Sequence, residues 1–180
     1  DAKLISFSSY YVYDSEGICT ETATTTDKYV YTKHKLQAEK FVEEKGGVCF
    51  RVGKLFGNPQ VDKQKKLTES ILTWDNIELD EVVFNPTSLR QVLDVVLHEI
   101  KTSSLTGVYN LSNKGYCTHA EYGKYINKFF NNSANVSIIK KHIRPFHNYG
   151  RFTMDTSKLE KHIHLRTWET DVREYLKCIA

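Results

Sequence analysis

An α/β fold built on a parallel sheet is predicted by three features of the sequence. A short apolar run, Leu4-Ile5-Ser6-Phe7-Ser8, ends in hydroxyls, as strands do where they open into a site. A helical pattern follows from Val30 to Glu44 and stops at Gly46-Gly47, and directly after it Val48-Cys49-Phe50-Arg51-Val52 forms a second apolar run. Strand, helix and strand in that order make the βαβ unit of a parallel sheet.

Between the first run and the helix, residues 14–28 are polar and threonine-rich and read as a loop. The helix takes Leu36, Ala38, Phe41 and Val42 as its apolar positions. Gly53 to Asn58 is expected to be a glycine-punctuated loop, residues 59–66 a polar linker, Leu67 to Trp74 a short helix and Glu81 to Phe84 a strand stopped by Asn85-Pro86. Thr87 or Ser88 then caps a helix whose broad apolar face includes Leu89, Val92, Leu93, Val95, Val96 and Ile100. Gly107 to Leu111 reads as a third sheet strand. Thr118-His119-Ala120-Glu121 is a capping box opening a helix with Tyr122, Tyr125, Ile126 and Phe129 on one side. Val136 to Ile139 is a strand candidate, and Met154 to His162 and Thr167 to Leu176 are expected to be closing helices.

Composition narrows the function. The 180 residues are 40% hydrophobic and 26% charged, and 25 basic against 22 acidic residues leave a net charge of +3 with the signs interspersed. The densest basic cluster, Lys63, Lys65 and Lys66, fits a solvated loop, so nucleic acid is not an expected partner. No run is long enough to span a membrane. The four scattered cysteines form no C-x-x-C pair and suit a reducing, cytoplasmic setting, and His162 and His164 lack the carboxylate or thiol partners of a metal site.

The residues with chemistry are Ser8-Ser9-Tyr10-Tyr11-Val12-Tyr13-Asp14 and Tyr31-Thr32-Lys33-His34-Lys35. Reducing a ketone needs a hydride donor at one face and a proton donor at the oxygen. A free phenol, with a pKa of roughly 10, is poorly matched to that task near neutrality. An ammonium one helical turn away favours the phenolate, because i and i+4 share a face. A second hydroxyl can hold the carbonyl oxygen. Tyr31 and Lys35 supply the pair and Ser9 the hydroxyl. Tyr29 and Lys33 have the same spacing, and the Ser8-Ser9 strand end upstream and Ala38-Glu39 downstream favour Tyr31 and Lys35.

On these residues the chain resembles the extended short-chain dehydrogenases/reductases, and most closely their dTDP-4-dehydrorhamnose reductase branch. Ser8 to Asp14 is similar to that branch's S-T-D-Y-V-F-D, and Tyr31 to Glu39 to its Y-G-x-S-K-x-x-G-E. Phe50-Arg51 through Gly57, Phe84-Asn85-Pro86-Thr87, Gly107-Val108-Tyr109-Asn110-Leu111-Ser112, Arg144-Pro145 and Asp155-Thr156-Ser157-Lys158-Leu159 follow in the family's order. The resemblance implies the C-terminal part of a Rossmann-like doubly wound parallel sheet plus a small mixed α/β substrate-binding lobe. Residues 1–57 and 85–112 would form the first, and 58–84 and 113–180 the second. It implies NADP(H), or NAD(H), as cofactor and a dTDP- or UDP-linked 4-keto-6-deoxy sugar as substrate. Ser9 would polarise the ketone, Tyr31 donate the proton, and Lys35 bind the nicotinamide ribose while tuning Tyr31. Val52, Gly53, Lys54 and Leu55 would approach the nicotinamide, and Tyr10, Tyr11, Asn85, Thr87 and Arg144 the sugar or its nucleotide.

Tyr10 stands where that branch has an acid, and Asn85 where it has a glycine. A nucleotide-sugar epimerase or dehydratase of the same superfamily and a non-catalytic regulatory subunit are the alternatives. Tyr10-Tyr11 lacks the dehydratase's acidic pair, and Pro86-Thr87 favours the reductase branch. The G-x-x-G-x-x-G phosphate loop and its βαβ unit are absent from the sequence, which begins at Asp1, so a truncated chain that alone binds dinucleotide weakly is expected. The first strand would then have an unpaired side, which predicts association with a second copy. A 3,5-epimerase, as partner or fused activity, is a further expectation of the resemblance.

Overall fold

The computed structural model describes residues 2–57, 67–68, 71, 76–129, 135–138 and 152–179. Its centre is a three-stranded parallel sheet. β1 (Ile5–Ser9), β3 (Val48–Val52) and β8 (Gly107–Leu111) lie in the order β1-β3-β8, with Ser9 level with Val52 and Val52 level with Leu111. All five residues of β3 are buried, as a strand covered on both faces requires.

Helix α1 (Val30–Glu44) covers one face, where Val42 packs with Cys49 and Val108. It ends as the Gly-Gly pair predicts. Gly46 takes φ +66°, its N–H bonds the Glu43 carbonyl, and the Gly47 N–H reaches back to Val42, the two bonds of a Schellman motif. Helix α2 (Leu89–Thr102) covers the other face through Val92 and Val95, beside Val48, Phe50, Val52, Tyr109 and Leu111. Ser88, not Thr87, caps it, its hydroxyl accepting from the Gln91 N–H at 2.9 Å. Part of the helix's apolar surface is open: Leu93, Leu97 and Ile100 are exposed.

A second core surrounds Phe56, Phe84, Tyr122, Ile126, Trp168 and Leu176. Helix α3 (His119–Phe129) enters it from the capping box: the Thr118 N–H donates to Glu121 at 2.7 Å and the Glu121 N–H to the Thr118 hydroxyl at 3.0 Å. Helix α5 (Trp168–Ile179) closes the same core.

Several expectations are corrected. The threonine-rich segment 14–28 contains β2 (Gly17–Cys19), which pairs in parallel with β11 (Phe152–Met154), so Met154 is in a strand and the helix there, α4, is only Ser157–Glu160. The Gly53–Asn58 stretch contains β4 (Lys54–Phe56), paired with β7 (Pro86–Ser88). The strand expected over 81–84 is the two-residue β6 (Val83–Phe84), antiparallel to β9 (Cys117–Thr118), and β5 (Asn76–Leu79) pairs with β10 (Asn135–Ile138). The 59–66 linker and most of the 67–74 segment lie outside the described residues.

Among the described residues β1 has a strand neighbour on one side only, and its Phe7 is 43% exposed.

Candidate active site

β1 delivers Ser9 to the carboxyl end of the sheet. Its backbone is extended (φ −141°, ψ 144°) and its Oγ accepts from the Tyr11 N–H at 3.2 Å, capping a one-turn helix over Tyr10–Val12. Tyr10 is buried against Phe152, and Tyr11 stacks on Tyr10 with centroids 4.3 Å apart. Tyr13 is fully buried, donates to Asn110 Oδ1 at 2.6 Å, and has its pKa pushed up to about 12 by burial, against the opposing pull of Arg51. The Ser8 hydroxyl is buried and has no hydrogen-bond partner among the described residues.

Tyr31 lies in the first turn of α1 and is 52% exposed. Lys35, one turn on, sits 5.7 Å from the Tyr31 ring centroid and donates to the Phe7 carbonyl of β1 at 3.0 Å. The competing pair takes another direction: Lys33 lines a shallow surface depression with Asp27 and Lys40, and Tyr29 is the residue preceding the helix. One turn beyond Lys35, Glu39 grips Arg51 of β3 with both oxygens (Nε 3.0 Å, Nη2 2.7 Å), both side chains being buried. Arg51 also donates to the Glu21 carbonyl at 3.0 Å and lies 4.9 Å from the Tyr13 ring centroid. Burial works against the Arg51 charge, yet its hydrogen bonds to Glu39 leave its pKa raised. Tyr31, Lys35 and Glu39 thus form one stripe, and the buried ion pair fixes its distal end to the central strand.

Gly53 joins β3 to β4. A Cβ there would run into Thr87 Oγ1 and meet the Asn85 carbonyl at 2.8 Å, so only glycine fits this crossing. Thr87 is fully buried and donates to the Asn85 carbonyl at 3.2 Å. The Asn85 side chain accepts from the Met154 N–H at 2.8 Å and donates to the Gly115 carbonyl at 3.1 Å. In this structure Asn85 and Thr87 are thus buried and engaged in holding strands together. Gly53→Ala is expected to cost about 1–3 kcal/mol, as overpacking does, read as a lower denaturation midpoint. An unchanged midpoint would show that the crossing relaxes freely.

Leu55 remains exposed. Lys54 turns its ammonium to His119 Nε2, at 3.0 Å, and Asp80 Oδ1 lies 2.7 Å from His119 Nδ1. This trio was not evident from sequence, because its members are up to 65 residues apart. Arg144 lies outside the described residues. Among those described, no cluster of His, Cys, Asp or Glu could hold a metal ion, and His162 packs edge-on to Tyr109.

Parallel strands with helices on both faces, and hydroxyls at the carboxyl end, define a Rossmann-like α/β protein. The chain belongs to the RmlD substrate binding domain family, whose pattern matches residues 1–180. It is similar in structure to a dTDP-4-dehydrorhamnose reductase from Clostridium acetobutylicum (TM-score 0.83, 20% identity, 99% of this chain and 66% of that one). A dTDP-4-dehydrorhamnose reductase from Bacillus anthracis, solved in complex with NADP, matches with TM-score 0.80 and 22% identity over 99% of this chain and 66% of its own. A UDP-N-acetylglucosamine 4-epimerase from Methanobrevibacter ruminantium matches with TM-score 0.79 and 16% identity over 98% and 62%. The chain therefore spans about two thirds of the length of the reductase structures it matches. None of the curated proteins matches it. No helix among the described residues is long and apolar enough to cross a membrane.

Proposed function

We propose that the chain carries the catalytic and substrate-side part of an NADPH-dependent ketoreductase acting on the 4-keto group of a nucleotide-activated 4-keto-6-deoxy sugar, dTDP- or UDP-linked. The observation that carries this reading is the direction of the stripe on α1. Lys35 reaches β1, the strand that ends in Ser9, while Tyr31 beside it keeps an exposed phenol.

The residues present fit the nicotinamide end of a dinucleotide. An ammonium, an exposed phenol and the Val52–Leu55 segment stand where the sheet's carboxyl edge opens. Lys35 and the main chain of that segment would hold the nicotinamide ribose and ring. When bound, the cofactor supplies the hydride. Ser9 Oγ hydrogen-bonds the substrate carbonyl oxygen, Tyr31 delivers a proton to the same oxygen, and the Lys35 charge eases loss of that proton. Tyr10 and Tyr11 form the aromatic wall nearest Ser9, where an acid would be needed for dehydration, and Arg144 is assigned to the diphosphate. Asn85 and Thr87 shape the floor. In this reading residues 1–57 and 85–112 complete the cofactor domain, residues 58–84 and 113–180 the substrate lobe, and the enzyme is a cytoplasmic homodimer receiving its substrate from a 3,5-epimerase.

The test is NADPH oxidation by the protein with a dTDP- or UDP-4-keto-6-deoxy sugar. Turnover with a reduced 4-hydroxy product is expected. Interconversion of 4-epimers without net NADPH consumption would instead establish the epimerase alternative.

A further inference from the structure

Lys54, His119 and Asp80 come from three separate segments, and two of the three residues are almost fully buried: His119 is 6% and Asp80 7% exposed. The protonation pattern follows from the donors. Lys54 has only hydrogens to offer, so His119 Nε2 must accept; Nδ1 then carries the proton and donates to Asp80. The ring's orientation is locked by its surroundings. The Ala120 N–H bonds the Asp80 carbonyl, the His119 N–H bonds the Val82 carbonyl, and Phe84 packs 4.8 Å from the imidazole. Anchoring the start of α3 requires only Asp80 and His119. Lys54 also lines a cavity of about 140 Å³. Phe56, Leu67 and Phe84 make that cavity apolar, and Thr68 and Tyr122 add a pair of hydroxyls 2.9 Å apart. A few polar groups on apolar walls, one of them a half-buried cation, is the kind of lining a ligand subsite has. Its cation begins two residues beyond Val52, the register partner of Ser9.

We propose that Lys54, positioned by His119 and Asp80, is a specificity-determining residue that binds an anionic oxygen group of the substrate, either a phosphate of its diphosphate or a carboxylate on its sugar. The proposal rests on the ketoreductase reading for the identity of the substrate, and its test uses no turnover. The full chain is titrated calorimetrically with inorganic pyrophosphate, with glucuronate and with neutral methyl glucoside. Saturable binding of pyrophosphate identifies the diphosphate as the source, and binding of glucuronate identifies a sugar carboxylate. Lys54→Met is expected to weaken that binding about 10- to 100-fold, the loss of one charge-assisted hydrogen bond. Lys54→Arg should restore most of it, which a purely structural lysine would not do. His119→Gln should weaken it less than Lys54→Met. Binding of neither anion, equal binding of methyl glucoside, or wild-type affinity in Lys54→Met overturns the proposal. Anion binding that survives alongside a failed NADPH assay would remove the ketoreductase reading and leave the Lys54 site standing.

Discussion

Tyr31→Phe is expected to lower turnover by about 10²- to 10⁴-fold, the range that a positioned general acid contributes, with little change in stability. The asymmetry follows from exposure. The Tyr31 phenol is open to solvent, so its hydroxyl supports no buried network, and a surface change of this kind stays within about 0.5 kcal/mol. Tyr13 is the control. It is fully buried, its phenol is pushed up to about 12 by burial, and its hydroxyl is committed to Asn110. Tyr13→Phe should therefore lower stability and spare turnover. Steady-state kinetics beside denaturation curves separate the two variants. If Tyr31→Phe retains wild-type kcat, the proton comes from another group and the stripe on α1 is structural.

The largest stability effect is expected at the Glu39–Arg51 pair. Glu39→Ala leaves a guanidinium buried without its carboxylate, a change that costs about 3–5 kcal/mol. Replacing both residues, as Glu39→Leu with Arg51→Met, should cost clearly less than the two single changes summed, because no charge is then stranded. The Arg51 pKa is raised, so its contribution is fully present below the pKa of an unfolded arginine and is lost only as pH rises through the higher folded value. The arginine's share of the effect is thus constant through the neutral range. Urea titrations of the two single variants and the double variant measure the coupling, and additivity would mean that the ion pair does not hold α1 against β3.

Much of the central sheet was legible because its signals are local. The Gly46-Gly47 stop, the all-buried run 48–52 and the Thr118-x-x-Glu121 box each act within a few residues, and each appears where the pattern put it. What escaped was long-range. β2 is three residues with no periodicity, and its partner strand lies more than 130 residues later, so nothing in either segment announces the pairing. Lys54 to Phe56 looked like loop because its ladder is with Pro86–Ser88. The stripe of Tyr31, Lys35 and Glu39 was visible as spacing, whereas its attachment to Arg51 was not, since an ion pair between helix and strand leaves no periodic trace. Asn85 and Thr87 were assigned to the sugar side on resemblance; that both are also buried between strands rests on partners distant in sequence, which the local motif does not announce. In the Asp155–Leu159 motif Lys158 donates to the Val108 carbonyl at 2.6 Å and Leu159 is fully buried.

The bond from Lys35 to the Phe7 carbonyl carries one more consequence. The Leu4 carbonyl accepts from Val48 of β3, and carbonyls alternate in direction along a strand, so that of Phe7 faces away from β3. The ammonium therefore occupies the hydrogen-bonding rim of β1, on the side where another strand would dock. Any strand adding there must share that oxygen or displace the ammonium from it. Strand occupancy and lysine position are then thermodynamically linked, each biasing the other by the same free energy.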